Sequence, residues 1–142
     1  MATIQLPLNW FAVGYDYSDV QDEGIKAGEI IAWRCWRVVN GLLRSMVVDV
    51  GWPPGEPLTA RGGMHDFGIH AWSNLHIATF YTVSSCLMYP NVVFGSVAMW
   101  GEVVEHVSGY RAEHARVNSI DSLFGGQYDI DKLRSTYLGL TR

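Results

Sequence analysis

The chain has 142 residues with 49% hydrophobic and 17% charged side chains, which suits one domain able to bury a core without disulfide or metal staples. The net charge of −4 and pI near 5.6 argue against a general nucleic-acid binder, because phosphate neutralisation needs a concentrated basic surface. No basic leader followed by an apolar run opens the chain and no stretch of eighteen apolar residues occurs, so the sequence reads as an intracellular, cytoplasmic protein outside the membrane.

In chain order, residues 1–28 combine apolar Leu6, Leu8, Trp10 and Phe11 with Asp16, Asp19, Asp22 and Glu23, and glycines interrupt any helical period. This part reads as an N-terminal arm docked on the domain, carrying much of the negative charge. From Glu29 to Val50, two β-branched and aromatic runs flank Asn40-Gly41, the pair that accepts positive φ at both centres of a type I′ turn, and predict a β-hairpin. Alternation puts Ile31, Trp33 and Cys35 on one face of its first strand and Arg34 and Trp36 on the other, with Arg34 and Arg37 pointing opposite ways.

Gly51–Gly63 holds three of the five prolines and predicts a long loop without regular structure. Loops of this kind carry binding residues, which makes Trp52 and Arg61 candidates. Asp66–Trp72 reads as a short strand. Ser73 is placed to cap a helix running from Asn74 to about Cys86, in which Leu75, Ala78, Tyr81/Thr82 and Ser85/Cys86 recur at helical spacing. Two apolar-rich runs, Val92–Val104 and Arg111–Ile120, joined by a polar turn over Glu105–Tyr110, predict a long bent hairpin. Leu123-Phe124-Gly125-Gly126 breaks the sheet, and Asp129 caps a last helix with Ile130, Leu133 and Tyr137 on its buried stripe and Gly139 as its stop. The fold class expected is α+β, a single domain with a mainly antiparallel twisted sheet and two helices.

The chemistry offered by these elements is sparse. His65, His70 and His76 lie close together, but no two share a helical face at ligand spacing, so no metal site is expected. Glu102 and Glu105 have opposite parity in a strand and converge only if Gly101 supplies a bulge. Glu102 and Glu113 can instead face each other across the hairpin. No phosphate-binding glycine loop, nucleophile elbow or zinc-protease motif is present, and Cys35 and Cys86 read as buried free thiols.

Gly68-Ile69-His70-Ala71, followed by the run from Val97 to Glu113 with its Trp100-Gly101, Glu105-His106 and Gly109-Tyr110-Arg111-Ala112-Glu113, resembles an uncharacterised family of small bacterial and phage proteins. That resemblance spans a little over a third of the chain and implies no established activity. A looser similarity runs to ADP-ribosyltransferase-like folds, in the order Arg34, Gly68-Ile69-His70, Ala78 and Tyr81, then Glu102 or Glu105. It implies NAD as ligand and Arg34, His70, Tyr81, Glu102 and Glu105 as candidate catalytic residues, without the Ser-Thr-Ser strand of that class.

Two functions compete. One is a small binding protein that acts by protein–protein contact, such as an accessory or anti-defence protein of a phage that meets a host or phage protein, needs no cofactor, and uses Trp52, Arg61, Trp100, His106, Tyr110 and Arg111. The other is the NAD-using enzyme. Convergence of Arg34, His70, Tyr81 and Glu102 on one concave pocket discriminates them.

Overall fold

The Asn40-Gly41 pair turns the chain as its chemistry dictates: Asn40 has φ 53° and Gly41 φ 78°, and Val39 pairs with Leu42 across a two-residue connection. The computed structural model describes residues 25–26, 28–46, 50–60 and 68–139. Arg61 and most of the N-terminal arm lie outside the described residues. Within them the chain is α+β, with seven strands in one antiparallel sheet and two helices. The elements are β1 (Ile25–Lys26), β2 (Ile30–Val39), β3 (Leu42–Arg44), β4 (Leu58–Thr59), β5 (Ile69–Trp72), α1 (Leu75–Ser85), β6 (Val92–His106), β7 (Gly109–Phe124) and α2 (Ile130–Leu138).

The predicted long hairpin is the spine of the sheet. Its strands run up to a two-residue turn at Val107-Ser108, tighter than the Glu105–Tyr110 turn expected, and β7 continues to Phe124 before Gly125 ends it. On its free edge β6 pairs with β2 from Ile30↔Met99 to Arg37↔Val92, and with β1 at Ile25↔Val104. The free edge of β7 takes β5 from Ile69↔Ala112 to Trp72↔Gly109, then β4 at Leu58↔Ala115. Bulges in the β6–β7 ladder near Gly95, Val97 and Gly101 bend the ribbon enough for its two outer neighbours to meet, and β2 touches β5 at Trp33↔Trp72. The sheet is thereby closed on itself through β6, β2, β5 and β7.

Closure also corrects the reading of the proline-rich loop. Leu58–Thr59 forms a strand on β7, which stops where Pro57 has no N–H to donate. Trp52 is 2% exposed and belongs to the core: it packs edge-on against Trp36 at 5.5 Å and donates its indole N–H to Ser45 Oγ at 3.1 Å.

The inner face is filled by Ala32, Trp36, Val93, Val97, Met99, Val103, Ala112 and Ala115, and α2 adds Leu133 and Tyr137. Full burial of a side chain such as Met99 or Leu43 contributes about 2 kcal/mol. Helix α2 starts and stops as read: Asp129 accepts from the Asp131 N–H at 2.9 Å, and Gly139 takes the left-handed conformation at φ 70°.

On the outer face of β2, Trp33 stacks on Phe94 at 5.7 Å, and Cys35, Trp72 and Val92 form a second apolar layer beneath Ala78 and Tyr81 of α1. The cap of α1 is Asn74, whose side chain accepts from the His76 and Ile77 N–H groups at 2.8 and 3.1 Å. Ser73, expected there, lies in the bend before the cap and donates its N–H to the Ser108 carbonyl at 3.0 Å. Thr82 and Ser85 return their hydroxyls to the carbonyls of Ala78 and Tyr81, so the buried side of the helix carries two polar residues with no orphaned hydroxyl.

Candidate functional site

Four of the candidate residues gather where the sheet closes. His70 of β5 stands directly across from Arg111 of β7, and the His70 ring lies 6.4 Å from that of His106 at the end of β6. Arg34 of β2 reaches the same place. Its guanidinium donates to the His70 carbonyl and to Ser45 Oγ, and stacks over the Trp52 ring at 5.0 Å.

Electrostatics make this a cationic, poorly solvated spot. Burial, with the Arg34, His106 and Arg111 charges added, holds His70 well below the ordinary histidine range. His106 is pushed down to about 4 by burial and Arg111, against a smaller upward pull from Glu105. Burial lowers Arg34 itself to about 10. Both imidazoles are therefore neutral near pH 7, packed between two permanent positive charges.

The remaining candidates divide. Tyr81 is within electrostatic reach of Arg34, yet its ring packs on Trp72 at 4.8 Å, and burial raises its hydroxyl above the usual phenol range. Glu105 acts on His106. Glu102 does not join them: it is exposed, sits in the bulge that Gly101 makes at φ 84°, and offers its N–H to Glu113 Oε1 at 3.2 Å. Arg116 pairs with Glu29 at 2.8 Å. Trp100 stacks on His114 at 5.6 Å, and Tyr110 packs against the inner core. Thus Arg34, His70, His106 and Arg111 come together with Glu105 and Tyr81 nearby, while Trp52 is structural and Glu102 and Trp100 lie elsewhere on the hairpin.

Two further features frame the chemistry. An open depression of about 370 Å³ lies between Pro53–Pro57, the Arg116–Asn118 segment of β7 and the end of α2, and contains none of the candidate catalytic residues. Among the described residues no group of three or more His, Cys, Asp or Glu is placed to hold a metal ion, and no helix is long and apolar enough to cross a membrane.

A different surface stands out, one the sequence reading passed over. Phe80 and Val83 are 62% and 56% exposed on the side of α1 opposite Ala78, Tyr81, Thr82 and Ser85, and Leu87, 89% exposed, follows in the turn after the helix. Leu75 at the start of the helix and Met88 in the turn after it are also exposed. A globular surface helix normally turns charged residues outward. This one has none, and no Asp, Glu, Lys or Arg occurs anywhere between Asp66 and Glu102. That gap in charge was the available signal.

Compared with protein-family models, with curated proteins and with solved structures, the chain finds no match in any of the three.

Proposed function

We propose that this chain is a small binding protein that acts by protein–protein contact, and that the outer face of α1 with the turn after it is its contact surface. The observation that carries the reading is the exposed run of Phe80 and Val83 on α1 and Leu87 in the turn after it, a stretch with no charged side chain. Exposed apolar patches of several hundred Å² mark interaction sites, because leaving them in water forgoes roughly 25 cal/mol for every Å². Depletion of charge at the centre of the patch is the compositional mark of an interface core.

The arrangement at Arg34 and His70 favours this reading over the NAD-using one. Two donors of Arg34 are committed to a backbone carbonyl and a serine hydroxyl, and Glu102 is absent from the charged groups that act on His70 and His106. Of the two carboxylates offered for orienting a ribose, only Glu105 acts at this spot.

The test places a photo-crosslinking amino acid at position 83 in the full chain expressed in its native cell, and at position 132 on α2 as the control. A discrete cross-linked product from position 83 that is missing from position 132, and that is lost in Phe80→Glu and Leu87→Glu, is expected. Equal, diffuse labelling from both positions refutes the reading.

A further inference from the structure

Strand β7 leaves one short length of its outer edge unclaimed. β4 pairs with it only through Thr59↔His114 and Leu58↔Ala115, and stops at Pro57. Further along, Arg134 of α2 donates its Nε–H to the Ile120 carbonyl at 2.8 Å and occupies the edge there. Between the two runs Arg116–Asn118, beside the open depression of about 370 Å³. The Ala60 N–H donates to the Glu113 carbonyl at 2.8 Å, which sets the phase of the ladder: Glu113, Ala115 and Val117 aim their backbone groups away from β6. The Val117 N–H and carbonyl therefore point into the depression, and no strand or turn of the described residues bonds to them.

We infer that this edge takes an extended segment of a partner protein, added as a strand alongside Arg116–Asn118 in line with β4. Outward-facing backbone donors and acceptors specify another extended backbone, and the side-chain pocket beside them specifies its sequence. The surface is separate from α1, so it is a second contact and not a refinement of the first. The wall facing β7 cannot supply the strand itself: Pro53, Pro54 and Pro57 lack N–H groups, and the Glu56 N–H turns to the Pro53 carbonyl at 3.4 Å. A second copy is unsuited as well, because its matching edge is recessed between the same turn and the same helix end, and two recessed edges do not meet. The residue opposite Val117 turns its side chain to the same face as Val117, onto Tyr137 and Leu138, so it is apolar. It is also not proline, which has no N–H for the Val117 carbonyl. Its neighbours face the other way, beside exposed Arg116 and Asn118, and are polar. A contact three residues long, about 10 Å, is small, and the binding is reversible.

A displayed library of random seven-residue peptides, selected against the full chain, tests this; synthetic copies of the enriched peptides are then followed by fluorescence anisotropy and amide hydrogen exchange. Enrichment of sequences with an apolar residue, never proline, at one central position is expected, and the bound peptide should slow exchange at the Val117 amide. Leu138→Glu puts a charge where the apolar side chain sits and should weaken binding about tenfold or more, whereas Val107→Glu, exposed at the hairpin turn, should leave it unchanged. Circular dichroism and thermal unfolding establish that both variants are folded. Failure to enrich any peptide overturns the inference, as does binding that Leu138→Glu leaves intact. Peptides that lose binding through Phe80→Glu instead belong to α1, a result that overturns the edge assignment and leaves the α1 reading standing. A Val117 amide already slow to exchange with no peptide present means that the chain pairs this edge itself, and overturns the partner.

Discussion

The guanidinium of Arg34 spans the gap between β2 and β5 to reach the backbone carbonyl of His70. The two strands share only the Trp33↔Trp72 pair, so their backbones part beyond it, and Arg34 supplies by side chain the link the ladder no longer makes. Removing it takes a donor from the half-buried His70 carbonyl, leaves Ser45 Oγ with the Trp52 indole as its donor, and strips the cover from Trp52. Arg34→Met is expected to lower stability by roughly 2–3 kcal/mol in urea unfolding. Arg34→Lys should recover little, since one ammonium cannot reproduce a planar fork that bonds in two directions while stacking on an indole.

Acid should weaken the fold in a window set by the two buried imidazoles. Both have folded-state values below the ordinary 6.5, so the unfolded chain binds more protons and stability falls as pH drops through 6.5 toward about 4 for His106, and further for His70. The groups facing them are Arg34 from β2, Arg111 from β7 and Glu105 from β6, of which only Glu105 opposes the shift. Each histidine contributes at most about 1.4 kcal/mol per pH unit within its window. Urea midpoints at pH 7.5, 6 and 5 measure the slope. His106→Gln should flatten it, and an unchanged slope in that variant would assign the acid sensitivity to other groups.

Tyr137 ties three parts of the molecule together. Its hydroxyl accepts from the Leu43 N–H of β3 and donates to the Trp52 carbonyl, both at 2.8 Å, from the buried face of α2. Tyr137→Phe keeps the ring and loses both bonds in a place water does not reach. A cost of about 2 kcal/mol is expected, seen as a lower thermal midpoint with the secondary structure intact. Trp52→Ala should cost more, roughly 3–5 kcal/mol, because it empties part of the inner core.

The two thiols should differ sharply. Cys35 is 2% exposed and burial pushes it up to about 12, whereas Cys86, at the end of α1, is raised less and is partly open. With a thiol-reactive chromophore at pH 8, the native chain should react at Cys86 and hold Cys35 back until denaturant is added. Rapid native modification of Cys35 would mean that the layer beneath α1 opens readily.

Local signals in the sequence marked the elements well where a short motif has one structural meaning. Asn40-Gly41 defined a hairpin, Asp129 and Gly139 bracketed a helix, and alternation placed Trp33 and Trp36 on opposite faces. The cap of α1 moved by one residue because Ser73 and Asn74 both suit the position, and the Asn74 side chain is the one that accepts from the His76 and Ile77 N–H groups. Leu58–Thr59 left no mark, being two residues beside a proline. Trp52 looked like a binding residue because glycine and prolines surround it, yet the partners that bury it, Trp36 and Tyr137, lie far away in sequence. Phe80, Val83 and Leu87 were hidden for the opposite reason: an apolar residue at helical spacing reads as core until the packed face is known.

The closed sheet also dictates an order of events in folding. The β6–β7 hairpin joins neighbours through a two-residue turn and can form on its own, on the microsecond scale of hairpins. Docking β2 onto β6 must instead close a loop on the order of sixty residues, and the Trp33↔Trp72 seam adds a second long closure before either returns much contact. The hairpin is thus the natural nucleus, and substitutions at Val97 or Ala115 should slow folding while those at Trp33 chiefly hasten unfolding. With so much of its pairing non-local, the chain belongs among the domains that fold in milliseconds to seconds rather than microseconds.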